Sequence, residues 1–270
     1  MAALRLTEKG YRVLVIEAGA RFADEDFAKT SWNLRKFLFF PKLGLLGIQR
    51  IDLIGKVMVM SGAGVGGGSL VYANTLYRPE PEFFGTGSWA GMCNWQATLG
   101  EYYDQAERML GVTVNPFESN SDRAVRKVAD RMGFGATYRP TPVGIRFGKG
   151  ESADPYFGGV GPARSGCLNC GECMTGCRHN AKNTLVKNYL YLAENAGTEV
   201  WPLTTVTDFE RSEAGWLVIT KQTAAGGRTE KYCAAGKLGF MPRAAMSAIR
   251  SDRCARCWTT CATSLWMPSL

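Results

Sequence analysis

The chain alternates between short apolar runs and glycine-marked breaks. Residues 1–10 carry Ala2, Leu4 and Leu6, then Lys9 and Gly10, which predicts a helix stopped by glycine. The run Tyr11-Arg12-Val13-Leu14-Val15-Ile16 is apolar and β-branched, the pattern of a strand buried on both faces, and it ends at Glu17-Ala18-Gly19. Residues 22–40 place Trp32, Leu34, Phe37 and Leu38 on one helical face, so a core helix is expected there. Residues 51–60 are mostly apolar and run into a glycine-rich stretch. Residues 184–196 read as a helix closed by Gly197, and residues 147–166, rich in Gly and Pro, read as a long loop. Residues 199–203, 205–211 and 216–223 alternate like antiparallel strands, with Ala214-Gly215 at the second turn.

The order helix, turn, buried strand, acid is the second half of a βαβ nucleotide-binding unit, in which the carboxylate accepts hydrogen bonds from ribose hydroxyls. A carboxylate that merely ends a strand would look the same. The glycine fingerprint of such a unit stands roughly 20 residues before the acid. Counting back from Glu17 reaches Met1, so the chain is expected to begin inside its own dinucleotide fold.

The segment Ser61-Gly62-Ala63-Gly64-Val65-Gly66-Gly67-Gly68-Ser69-Leu70-Val71-Tyr72-Ala73-Asn74 is the most informative. Five of the seven residues from Gly62 to Gly68 are glycine. Without a Cβ, main chain can pass against a flat or phosphorylated ligand and turn N–H groups toward its oxygens. No lysine follows the glycines, so this is not the phosphate-cradling loop of nucleotide triphosphatases. A flexible linker is the plainer alternative, but Val65, Leu70 and Val71 are residues that pack.

With these two segments in place, the sequence resembles the glucose–methanol–choline (GMC) flavoprotein oxidoreductases, and most of all their cholesterol-oxidase-like branch. The resemblance also rests on a helix over residues 94–112 (Trp95, Tyr102, Tyr103, Ala106, Glu107, Leu110), on the cysteine segment and on Ala234-Ala235-Gly236, and it spans residues 2–239. It implies an α/β chain: an incomplete FAD-binding Rossmann-like domain over residues 1–80, and a helical and loop excursion over 81–195 with its cysteine-rich part at 164–183. Antiparallel strands over 196–239 would return to the FAD domain, and residues 240–270 form an atypical tail. The resemblance further implies FAD as cofactor. Glu17 would hold its adenosine ribose, Val65, Gly66, Gly67, Gly68 and Asn74 would line flavin and pyrophosphate, Val206 would meet the adenine through its backbone, and Gly236 would approach the ADP moiety. The implied reaction oxidises a 3β-hydroxysteroid or another bulky apolar alcohol to a ketone. The family's catalytic histidine belongs near the C-terminus, and no residue here takes that role. An inactive fragment with weak or no FAD retention is therefore expected.

Cys167-x2-Cys170-x2-Cys173-x3-Cys177 has the ligand spacing of bacterial ferredoxins, although Arg178 stands where a proline usually follows. Structural thiols or a labile disulfide, an iron–sulfur cluster and zinc all remain open readings. An iron–sulfur electron-transfer module built on these four cysteines is the rival function. His179, the only histidine, reads as a loop residue rather than a catalytic base.

Lysine and arginine exceed aspartate and glutamate by 32 − 24 = 8, but the charges are scattered and form no aromatic-basic motif, so nucleic acid is not an expected partner. No apolar run reaches the length of a membrane span, and the first residues do not read as a signal peptide, so a cytoplasmic location is expected. After Gly239 the composition changes: Arg243, Arg250, Arg253 and Arg256 crowd with Cys254, Cys257 and Cys261, without a sustained period. This tail reads as foreign to the fold, by a shifted reading frame, or as a metal-binding tail.

Overall fold

In the computed structural model, the residues described are 1–213, 215–223 and 229–234. The chain opens with the helix Ala2–Glu8, followed by Gly10 at φ 83°. The strand after it, Leu14–Ile16, pairs in parallel with Glu199–Trp201, in the register Leu14 to Glu199, Val15 to Val200 and Ile16 to Trp201. Two differences from the sequence reading meet here. Glu199–Trp201 is parallel to its neighbour, not antiparallel, because alternation reports which face is buried and says nothing of strand direction. Tyr11 and Leu14 are exposed, since the strand has one hydrogen-bonded partner among the described residues rather than a covered sheet on each side.

The chain divides into two compact units, one drawn from Met1–Phe22, Trp32–Val65 and the described residues from Ala196 on, the other from Ala23–Ser31 and Gly66–Asn195. The first unit also holds an antiparallel sheet of Thr204–Ser212, Gly215–Gln222 and Thr229–Ala234, in that order. Leu4, Phe39, Ile48, Ala63, Val65, Val206 and Val218 are its buried apolar residues among those described. The apolar stretch before the glycines is a hairpin, Gln49–Ile54 against Val57–Gly62, turned at Gly55 with φ 60°.

The single helix expected over residues 22–40 is not formed. A 3-10 turn at Asp24–Asp26 and a four-residue helix at Leu34–Phe37 stand there instead, and Phe39–Phe40 pairs with Leu45–Leu46. Asn33 starts the short helix by accepting the Lys36 N–H at 3.3 Å, and Pro41 holds Phe40 out of the helical region. Trp32 is 87% exposed, so the apolar face inferred from spacing is not a core face.

The second unit carries the helices Trp95–Leu110, Asn120–Arg131 and Tyr189–Asn195 joined by loops and two-residue strand pairs. Its buried residues include Leu70, Met109, Ile145, Ala181 and Ala193. Mixed helix and strand with small sheets agrees with an α/β chain. No helix among the described residues is long and apolar enough to cross a membrane.

The helix Trp95–Leu110 is closed at both ends by local chemistry. Asn94 Oδ1 accepts the Ala97 N–H at 3.1 Å, and Gly111 takes φ 57° at the other end. Replacing Asn94 by Ala leaves that N–H without its side-chain acceptor, and urea denaturation should show a loss of about 1 kcal/mol.

Candidate functional site

Glu17 stands at the C-terminal end of the first strand, where main chain from three segments converges. Its N–H donates to Trp201 O at 3.0 Å and its C=O accepts from Thr204 N at 2.9 Å. One carboxylate oxygen, Oε1, accepts from Gly19 N at 2.8 Å and from Gly64 N at 3.1 Å. Val65 N donates to Ala20 O at 2.9 Å, so the start of the glycine run lies against the strand end that bears the acid. A Cβ on Gly19 would collide with the main chain of Gly64 and Ala63; glycine is the only residue that permits this approach. Burial raises the Glu17 pKa, opposed by the Gly19 and Gly64 N–H groups and by the charge of Arg50. The result is a carboxylate fixed through one oxygen, at the strand terminus where a nucleotide-binding unit keeps its acid.

The rest of the glycine run belongs to the second unit. Gly66 and Gly67 have φ 113° and 54°, and Gly67–Leu70 forms one 3-10 turn. Cβ atoms on Gly67 or Gly68 would meet nothing within 4 Å, so this main chain presents an open face on which a flat group can lie. Ser69 Oγ donates to Gly66 O at 2.6 Å and accepts from Leu185 N at 2.9 Å. Asn74 is fully buried at φ 67°, and neither its Oδ1 nor its Nδ2 has a hydrogen-bond partner. An amide buried without partners is costly, and it fits a group that brings its own donors and acceptors. The Asn188 Nδ2 and Thr184 Oγ1 are also buried without partners.

The turn is held by a buried cation. Lys182, 1% exposed, donates through Nζ to Leu70 O at 2.9 Å, Tyr72 O at 2.8 Å and Cys173 O at 2.7 Å. Nζ also lies 4.7 Å from the centre of the Tyr72 ring. Burial lowers its pKa to about 8, opposed by the negative charge that Cys173 and Cys177 carry when ionised, and donation to three carbonyls uses all three hydrogens of the ammonium form. Arg164, also 1% exposed, binds the same segment through Asn180 O at 3.1 Å, Lys182 O at 2.8 Å and Asn183 Oδ1. Lys187 pairs with Asp24 at 2.6 Å. Residues 180–187 are thus a brace fastened by three cations. Nothing in the sequence around Asn180-Ala181-Lys182-Asn183 signals this role, because two of the three Lys182 acceptors are main-chain carbonyls 112 and 110 residues away.

Val206 is buried in Thr204–Ser212, next to a register shift between Val206 and Asp208, where the Thr207 hydroxyl bonds Ile219 O at 3.1 Å. A bulge of this kind frees main chain from the ladder. Gly236 and the cysteines at 254, 257 and 261 lie outside the described residues. Cys167, Cys170, Cys173 and Cys177 are free thiols. Among the described residues the closely grouped metal-ligand atoms are those of Cys170, Glu172 and His179, not the four sulfurs. Cys167, Cys173 and Cys177 instead pack against Val143, Ile145 and Ala181.

No family model matches the chain. It is similar to a cholesterol oxidase of Mycobacterium tuberculosis, 59% identical over 239 residues, covering 86% of this chain and 41% of that protein. A cholesterol oxidase of Acinetobacter baumannii is 45% identical over 214 residues, covering 77% of this chain and 38% of the relative. A long-chain-alcohol oxidase of Arabidopsis thaliana is 25% identical over 240 residues and is covered to 27%. The chain spans less than half the length of each of these relatives.

Glu17→Gln keeps the acceptor for Gly19 and Gly64 while removing the buried charge. Folded Glu17 holds its proton more tightly than the unfolded chain does, so this residue makes stability fall as pH rises from the ordinary glutamate range through the raised value. Denaturation curves across that window should lose this fall in Glu17→Gln, whereas Glu17→Ala should cost about 1–3 kcal/mol at neutral pH by orphaning the N–H groups. Lys182→Met leaves the Leu70, Tyr72 and Cys173 carbonyls without their donor, and should cost on the order of 3 kcal/mol in urea denaturation at neutral pH.

Proposed function

We propose, for a chain that its sequence places in the cholesterol-oxidase-like branch of the GMC oxidoreductases, that it carries FAD-binding residues of an alcohol oxidoreductase acting on sterols. The observation that carries the reading is the convergence at Glu17: an acid at a strand terminus, fixed by Gly64 N–H at the entrance to the glycine run. In the unit that holds Glu17, the carboxylate takes the ribose hydroxyls of the adenosine and the Val206 main chain takes the adenine; Gly236 is assigned to the ADP moiety. The Val65 main chain leads into the open face of Gly66, Gly67 and Gly68. In the unit that holds Gly66 to Asn74, that face accommodates flavin and pyrophosphate, and Asn74 supplies the unpartnered amide. Residues 1–80 and 196–239 then make up an FAD-binding domain of Rossmann-like kind, with 81–195 as an excursion from it.

The chemistry that FAD supplies when bound is two-electron oxidation of a CH–OH group to a carbonyl. The substrate class is a 3β-hydroxysteroid, taken from the relatives named as cholesterol oxidases. What this chain's residues do is bind and orient. Glu17 fixes the nucleotide end, and the glycines let main chain approach within contact distance. Lys182 and Ser69 keep that main chain from moving when a ligand arrives.

Added FAD, followed by quenching of its fluorescence, tests the reading. Retention of FAD through purification is not expected of this chain, but weak, saturable binding at excess FAD is, and it should be weakened about tenfold or more in Glu17→Ala and in Asn74→Ala, with both variants checked for native circular dichroism. Equal affinity of the two variants and the parent chain, or no binding at all, would overturn it.

A further inference from the structure

The turn between Cys167 and Ala181 holds a set of side chains for which binding a flavin has no use. Cys170 Sγ, a Glu172 carboxylate oxygen and a His179 ring nitrogen all lie within 4.8 Å of one another. Ligand atoms around tetrahedral zinc, at about 2.0–2.3 Å from the ion, stand roughly 3.3–3.8 Å apart. Side-chain torsions alone can close the remaining gap.

The main chain that carries the three ligands is already fixed. Asn169, Gly171, Gly176 and Asn180 all take left-handed φ values, between 53° and 97°, which fold the segment back on itself. Both of its ends are tied to one residue: Cys167 N donates to Arg146 O and Arg146 N donates to Ala181 O, each at 2.9 Å. Its middle is tied by Lys182 Nζ to Cys173 O. Little conformational entropy is left to lose when an ion arrives. Cys170 is exposed, and Glu172 and His179 are half-buried, so the cluster has a path to solvent.

The donor types select the ion. Thiolate, imidazole and carboxylate together suit zinc and its borderline-soft neighbours, and they do not suit calcium or magnesium, which take oxygen. Glu172 Oε2 accepts from Arg178, leaving Oε1 for the ion. That arrangement orients the carboxylate from behind, as outer partners of metal ligands do. We propose that Cys170, Glu172 and His179 form a binding site for one zinc-class divalent cation, with a fourth position open to water. On binding, the Cys170 thiol releases its proton to solvent and a sulfur–metal bond forms; no electron is transferred.

Cobalt(II) titration of the reduced full chain reads the site directly. Cys254→Ser, Cys257→Ser and Cys261→Ser are introduced first, so that the tail contributes no sulfur. One saturating equivalent with a sulfur-to-cobalt charge-transfer band is expected, displaced by zinc. Cys170→Ser should abolish the band and His179→Gln should weaken cobalt about tenfold or more, while Cys93→Ser should leave both unchanged. A chain without a saturating band, or a band that survives Cys170→Ser, would overturn the proposal. On the unaltered chain, zinc should protect Cys170 but not Cys93 from alkylation, read by peptide mass; equal labelling with and without zinc would overturn it independently of any variant's folding.

Discussion

The second unit depends on one buried ammonium. Lys182 has lost its water and regained three acceptors, all of them main-chain carbonyls, two from the glycine turn and one from the cysteine-rich turn. A buried charge without such partners would cost several kcal/mol, so the three carbonyls and the lysine demand one another. Leu70 and Tyr72 cannot shift without stripping the ammonium, and Cys173 cannot shift without doing the same. The chain that follows Gly67 and Gly68 is thus anchored through Leu70 and Tyr72, although glycine is the least constrained residue in isolation.

Glu17 plays a related part in the first unit with the opposite charge. Its Oε1 is spent on two main-chain N–H groups, which hold the end of the first strand against the start of the glycine run. In both units an ionisable side chain therefore positions backbone rather than another side chain. This is how glycine-rich main chain, which has no side chains of its own to pack, is given a defined course.

What could be read from the sequence were the features written in neighbouring residues. The opening helix and its glycine, the acid at the strand end, and the helix from Trp95 with Asn94 before it and Gly111 after it are signalled within a few positions. Apolar spacing predicts a helix over residues 22–40, yet Asn33 inside that stretch and Pro41 just after it carry the stronger local instruction. The direction of Glu199–Trp201 was not legible, because it depends on where the chain returns after more than a hundred residues. Lys182, Arg164 and Asp24 were illegible for the same reason: burial of a charge is decided by distant partners. Cys170, Glu172 and His179 were visible as residues, but the regular cysteine spacing drew attention to four sulfurs, while the fold brings one sulfur to a carboxylate and an imidazole.

The separation in sequence between Lys182 and the carbonyls it binds has a consequence for biosynthesis. Leu70 precedes its donor by 112 residues and Tyr72 by 110. A ribosome releases the glycine turn long before it reaches the lysine, so the nascent turn waits without its cation. Closing so long a loop is slow compared with forming the nearby helices. Until then the Leu70 and Tyr72 carbonyls lack the donor that the finished fold gives them.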